Sequence, residues 1–380
     1  MTLRSTVRAP GGSRVARTVC AAIVVGALVA CTSPGSKAGP ARPATVLHLA
    51  TAESSSAPYA ADVERFADRV AALTDGSVRV EIDYEVIDYT TASERRITDM
   101  VRAGGTDLAL VPPRAFDTAG ITGFEALQSP FLIDTPELAG AVATSHLAGD
   151  MLSGLSDQGL VGLGLVYEGM RRPLALNGSV TRASDFEGLL VRVPPSNLSD
   201  RMFVALGAVA DHGASHTIST TGAPYPLVET ELAIADNDFP KESTLTANIA
   251  FFPKYDAIVA DPDAFGRLTD DQQQALREAA ADTVSSSLET TSGEEHLAAT
   301  YCESGGALAF APPAELTAIR AKVQPVVDSL RGDPATAQAI EAIEALKQTT
   351  AAPMFSVPAA CHPPTGDGAQ LPSPPAAPTP

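Results

Sequence analysis

The 380-residue chain has no tryptophan, 5% aromatic residues and four cysteines. With so few rings, the interior falls to alanine, valine and leucine, the composition of helices packed on sheets. Positive charge is also scarce, with 26 Lys and Arg against 45 Asp and Glu and a net charge of −19. Without the four arginines of the first 30 residues, 22 basic residues face 45 acidic ones, for a net −23. That balance argues against nucleic acid or an anionic membrane surface as a partner and suits solubility. The apolar run Val19–Ala30 spans 12 residues, well short of the roughly 20 that cross a bilayer. Also missing are a Gly-x-Ser-x-Gly elbow, a phosphate loop and a dinucleotide fingerprint, so neither catalysis nor a cofactor is expected.

What is present at the N-terminus is an address. Arg4, Arg8, Arg14 and Arg17 precede the apolar run, which ends Leu28-Val29-Ala30-Cys31. This is the order of a secretory signal peptide, 1–30. Its ending resembles the bacterial lipobox, in which the cysteine is lipidated and becomes the new N-terminus. Acyl chains on Cys31 would anchor an exported protein on the outer face of the bacterial cytoplasmic membrane, in the cell envelope. The alternative is an ordinary cleaved peptide with Cys31 incidental. Residues 31–44 then read as a Pro/Gly/Ser linker, and 358–380 as a Pro-rich tail disordered beyond Cys361. Cys20 leaves with the signal. Cys302 and Cys361, in an oxidising compartment, are expected to pair and tie the C-terminal segment to a long helix. Two buried free thiols are the other possibility.

The body between is α/β. Val46–Leu49, Val78–Ile82 and Leu108–Val111 read as strands, separated by helices over 58–74 and 93–103, so they should pair in parallel through right-handed crossovers. Ligands sit beyond the carboxyl ends of such strands. A helix over 136–155 and a strand over 160–167 follow. A change of lobe is expected next, with new strands at 173–177 and 189–193 and a helix over 197–206. One long helix is expected over 270–301, weakened only by Gly293, then two more over 313–330 and 334–347. Glu294 and Glu295 are placed on its solvated face.

Several strings in this order resemble one family, the DctP-type solute-binding proteins of TRAP transporters. They are Gly105-Thr106-Asp107-Leu108-Ala109-Leu110-Val111, Ser129-Pro130-Phe131-Leu132-Ile133, Glu168-Gly169-Met170-Arg171, Asp185 through Pro194, Leu206-Gly207-Ala208, and Leu268 through Leu276. The resemblance implies a two-lobed periplasmic-binding-protein-like clamp with a discontinuous lobe arrangement and a long inter-lobe helix. Lobe 1 would comprise 45–167 plus about 250–268, lobe 2 168–249, the connecting helix 269–301, and C-terminal helices 302–357. The family hands a small anionic organic solute to a permease of small and large membrane subunits.

The resemblance also implies site residues. Arg192 matches the arginine that grips a carboxylate, and a guanidinium's planar fork suits that task as lysine does not. A salt bridge between lobes or a surface position is the plainer reading. Arg171 is a second cleft candidate, with Arg172 as its register alternative. Glu53 and Ser54–Ser56 follow the first strand, and Pro112–Arg114 the third, where lobe-1 contacts sit. Asp238 and Phe239 match a string that supplies a lobe-2 contact, Phe239 as an apolar wall. The run from His212 to Pro226 departs from the family, so its usual dicarboxylate is not carried over. His212 and His216 lack a nearby third ligand and read as no metal site, and Asp261-Pro262-Asp263 reads as a turn. The readings from other classes are a surface hydrolase or esterase, and a ligand-sensing lipoprotein without a permease.

Overall fold

Lobe 1 is built by period-two strands alternating with amphipathic helices. The computed structural model describes residues 44–87, 93–213, 225–291, 293–352 and 355–362. The signal peptide, Cys31, the linker, His216 and the tail from 363 onward lie outside the described residues. Strand β1 (Thr45–Ala50) is followed by α1 (Ala60–Leu73), whose buried Val63, Phe66 and Val70 fall on one face at three-to-four spacing. Then come β2 (Val78–Asp83), α2 (Ser93–Arg102), β3 (Leu108–Val111) and α3 (Pro113–Thr118). As expected, β1 pairs in parallel with both β2 and β3. The single helix expected over 136–155 is two, α4 (Pro136–Ala143) and α5 (His146–Gly154). Ser145 breaks it by turning its side chain to accept from Ala148 N as a new N-cap.

Strand β4 (Val161–Ala175) then runs 15 residues, through the point where a change of lobe was expected. It is one strand rather than two. Its first part pairs with β9 (Phe252–Ala260) in the lobe-1 sheet, and its last residues pair in the lobe-2 sheet. The register slips between Tyr167 and Gly169. Gly169 has φ +132°, and a Cβ there would lie 3.2 Å from Glu231 Cβ, so only glycine lets the two chains approach this closely.

Lobe 2 contains β5 (Leu190–Arg192), α6 (Asn197–Leu206), β6 (Val209–Asp211), β7 (Leu227–Thr230), α7 (Leu232–Asp238) and β8 (Thr244–Thr246). The chain returns to lobe 1 through β9 (Phe252–Ala260), and α8 (Pro262–Gly266) follows. Asp261 caps that helix by accepting from Ala264 N at 2.7 Å, so the Asp-Pro-Asp string is a helix start rather than a simple turn. The strand order β2-β1-β3-β9-β4-β7-β5-β6 joins both sheets through β4, with β8 beside β4 and β10 (Ala307–Ala309) beyond it.

The long connecting helix is also divided. Helix α9 (Asp270–Thr291) ends before Gly293, which is the N-cap of α10 (Glu294–Glu303). Helix α9 packs on β4 and on α1. Together with α1 it covers one face of the lobe-1 sheet, while α2–α5 cover the other. A sheet covered on both faces explains why β3 and β9 are buried at every residue. Helix α11 (Pro313–Leu330) packs on α6 of lobe 2, and α12 (Pro334–Thr349) packs on α4 of lobe 1. Among the described residues no helix is long and apolar enough to cross a membrane.

Cys302 on α10 and Cys361 form the expected disulfide, 59 residues apart in sequence. Residues 359–361 are thereby held as one helical turn against α10. Replacing both cysteines with serine should lower unfolding stability by about 2–4 kcal/mol. Denaturant titration measures this, and an unchanged midpoint would mean that the bond restrains nothing that matters to folding.

Candidate functional site

The carboxyl ends of the parallel strands lead into one region between the lobes. β1 ends before Thr51 and Glu53, and β3 before Pro112 and Arg114. In lobe 2, β5 ends at Arg192 and β7 leads into Glu231. Four cations meet here: Lys254, Arg171, Arg114 and Arg192. Three of them already hold carboxylates.

Lys254 is 3% exposed at its side chain. Its ammonium lies 2.5 Å from Glu168, 3.1 Å from Glu53, 3.8 Å from Asp256 and 3.9 Å from Glu231. It also sits 5.3 Å from the Tyr59 ring centroid. Burial opposes its charge, but Glu168 and Glu53 outweigh that and raise its pKa well above the ordinary value. In return Lys254 lowers the pKa of Glu53. Glu168 and Asp256 are both raised, chiefly by burial, and the Asp256 carboxylate pushes Glu168 further up. The oxygens of Glu53, Glu168 and Asp256 lie within 4.8 Å of one another, close enough to hold a metal ion. The Lys254 ammonium supplies the positive charge among them.

Arg171 is buried. Its guanidinium lies 3.1 Å from Glu229 and 2.8 Å from Glu231. Arg114 binds Glu94 through both nitrogens of its fork, at 2.9 and 2.5 Å. Arg192 differs. It is half-buried and donates from Nε to Gly213 O at 3.0 Å, and among the described residues it forms no ion pair. Burial, with help from Arg171, pushes its pKa down to about 10.

A small cavity is lined by Pro112, Arg114, Gln128, Arg171, Phe252 and Lys254. The Gln128 amide nitrogen is buried without a hydrogen-bond partner among the described residues. Beside it the lobes are joined directly. The Asp117 carboxylate accepts from Leu198 N at 3.1 Å and Asn197 Nδ2 at 2.8 Å, closing the N-terminus of α6. The Leu198 side chain packs into the lobe-1 core.

The expected site residues therefore separate. Glu53, Pro112, Arg171 and Arg192 come to this region, and the Asp238 carboxyl is close enough to Glu53, Glu231 and Arg192 to feel their charge. Ser54 instead shapes its own turn, accepting from Ser56 N at 3.2 Å. Phe239 is 4% exposed and packs in the lobe-2 core with Leu174, Val228 and Tyr301, so it walls no ligand. Arg172 is structural, held by Glu294 at 2.9 and 2.8 Å and by Ala247 O. Glu294 is thus buried in an ion pair, not solvated as expected. His212 contacts Asp200 and Val193 O.

Lys254, Glu168, Asp256, Glu229 and Glu231 escaped the sequence reading. Their signal was parity. Lys254 and Asp256 stand two apart in an otherwise apolar strand, as do Glu229 and Glu231 across the end of β7. Period-two charges of a buried strand share one face and need partners there.

The two lobes, joined by shared strands around a charged cleft, have the two-lobed fold of periplasmic binding proteins. Residues 49–215 match the family model DctP, bacterial extracellular solute-binding protein, family 7. Over those residues the chain is similar to that family of extracellular solute-binding proteins. No curated protein sequence matches it. Among solved structures it resembles a TRAP periplasmic solute-binding protein from Ochrobactrum anthropi whose C-terminus is bound in the ligand-binding pocket, with 21% identity, 81% of this chain and 96% of that one covered, and a TM-score of 0.68. The sugar acid binding protein of Advenella mimigardefordensis in complex with galactonate is 20% identical, over 80% of this chain and 99% of that one, with a TM-score of 0.70. A TRAP periplasmic solute-binding protein of Xanthobacter autotrophicus Py2 with bound β-D-galacturonate is 20% identical, over 79% and 99%, also with a TM-score of 0.70.

Two outcomes follow from the Lys254 cluster. Lys254→Met leaves several buried carboxylates without their cation and should cost about 3–5 kcal/mol in denaturant unfolding. A loss below 1 kcal/mol would show that the cluster relaxes without it. The second outcome concerns pH. A carboxyl with a raised folded pKa binds protons on folding, so its contribution falls as pH rises through the window above the ordinary value of about 4. Glu168, Asp256 and Glu229 act in that sense, whereas the lowered Glu53 loses stability only below its ordinary value of 4.5. The melting temperature should therefore be higher at pH 5.5 than at pH 8, and Glu168→Gln should flatten the difference. A higher value at pH 8 contradicts the assignment.

Proposed function

We propose that the chain captures a small organic acid in the interlobe cleft, with Arg192 as the anchor of its carboxylate, and delivers it to a TRAP-type permease of small and large membrane subunits. The observation that carries this reading is the state of Arg192. Arg114, Arg171 and Lys254 each have a carboxylate within 2.8 Å, and Arg192 has none among the described residues. Its depressed pKa marks a cation whose surroundings favour an incoming anion. The carboxylate completes a planar, two-bond pair with the guanidinium, and Gln128 holds a buried donor ready beside the cavity. The acids bound by the fold relatives from Advenella and Xanthobacter agree in chemical class with this reading.

Capture then follows from the two-lobe architecture. Lobe 2 presents Arg192, and closure brings Glu53, Pro112 and Arg114 of lobe 1 over the ligand and excludes water. The lobe division at 45–167 with 250–268 and at 168–249 belongs to this reading. So does anchoring through Cys31, which keeps the receptor near its permease on the outer face of the cytoplasmic membrane.

Galactonate and glucuronate serve as probes in calorimetric titration. Arg192→Ala should weaken the binding of whichever acid is held by about 100-fold or more, and Arg192→Lys by about 10-fold. Mass spectrometry of the denatured wild-type protein identifies any co-purified acid. If Arg192→Ala binds as tightly as wild type, Arg192 is not the anchor.

A further inference from the structure

Arg171 and Arg192 stand on strands that flank β7, in the order β4-β7-β5. The registers set Arg192 opposite Val228 and Arg172 opposite Thr230 on β7, and the Arg171 charge is felt at Arg192. Of the two, only Arg192 is without a carboxylate partner among the described residues. Glu229 and Glu231 hold Arg171 at 3.1 and 2.8 Å, and the side chains of both acids are at most 2% exposed. Their place is fixed by backbone, since β7 pairs with β4 from Arg172↔Thr230 to Ala175↔Leu227. The glycine at 169 admits the Glu231 side chain against β4.

We propose that Glu229 and Glu231 are specificity determinants that neutralise Arg171 and so restrict the cleft to acids with a single carboxylate. This rests on the reading of Arg192 as the anchor. A second ligand carboxylate would have to displace a glutamate from Arg171 and leave that glutamate buried without its guanidinium. Hydroxyl groups meet the opposite reception, because the surrounding carboxylates of Glu53, Glu229 and Glu231 are acceptors in need of donors. The preferred ligand is a polyhydroxy monoacid, and the matching diacid is refused by charge and not by size.

The test uses pairs that differ only in the second carboxylate: gluconate with glucarate, galactonate with galactarate, and lactate with malate. Each is titrated calorimetrically into the wild-type protein and into the Glu229→Gln/Glu231→Gln variant, with a thermal melt to verify folding. Wild type should bind one or more of the monoacids and hold the paired diacid about 100-fold more weakly. The double variant, with Arg171 freed, should bring the diacid to within about 10-fold of its monoacid. Binding of a diacid by wild type within threefold of its monoacid overturns this inference alone and leaves the anchor reading intact. That comparison stands even if the variant fails to fold. An unchanged preference in a folded variant also overturns it. If wild type binds no member of any pair, the anion-capture reading fails, and this inference fails with it.

Discussion

A single buried ammonium organises the centre of this molecule. Lys254 lies on the strand that returns from lobe 2 to lobe 1, and its partners come from both sides of the cleft. Glu53 follows the first strand of lobe 1, Glu168 lies on the long shared strand, Asp256 is two residues along its own strand, and Glu231 opens a lobe-2 helix. Each of these carboxylates would be prohibitive in the interior alone. Gathered around one cation they become a cross-brace, and the positions of β4, β7 and β9 all depend on it. Gly169 belongs to the same arrangement, because any side chain there would push Glu231 away.

The same logic separates residues that look alike. Arg171 and Arg172 are adjacent, and alternation along β4 sends them to opposite faces. One meets Glu229 and Glu231 near the cleft, and the other meets Glu294 under lobe 2. Arg192, at the end of a shorter strand, meets only a backbone carbonyl. A receptor that presented every arginine uncompensated would hold anions without discrimination. Here most of the positive charge is spent internally and the remainder is placed at one strand end.

Closure has its own contacts at the rim. Asp117 of lobe 1 caps the N-terminus of α6, which begins five residues after Arg192, and Leu198 fills a place in the lobe-1 core. The helix that follows Arg192 thus touches the opposite lobe by a charged and an apolar contact together. In the capture proposed above, ligand binding and lobe apposition act on the same few residues, the arrangement through which a small solute shifts an open–closed equilibrium.

Much of the chain was legible before folding. The α/β rhythm of lobe 1 and the C-terminal helices rest on local patterns, and local patterns survive translation into structure, while the disulfide follows from the two cysteines left to pair. The strings that resembled the DctP type placed Arg171 and Arg192 near the cleft for the same reason, since strand ends are visible in sequence. Composition and the N-terminal address set the class of partner to expect. What the sequence did not disclose was the pairing of charges. Whether Arg171 or Arg172 is free or quenched depends on acids 58 to 122 residues away, brought close only when β4, β7 and α10 pack. Electrostatic matching is decided by distance in space, and at separations of that size the linear order of residues carries almost no information about it.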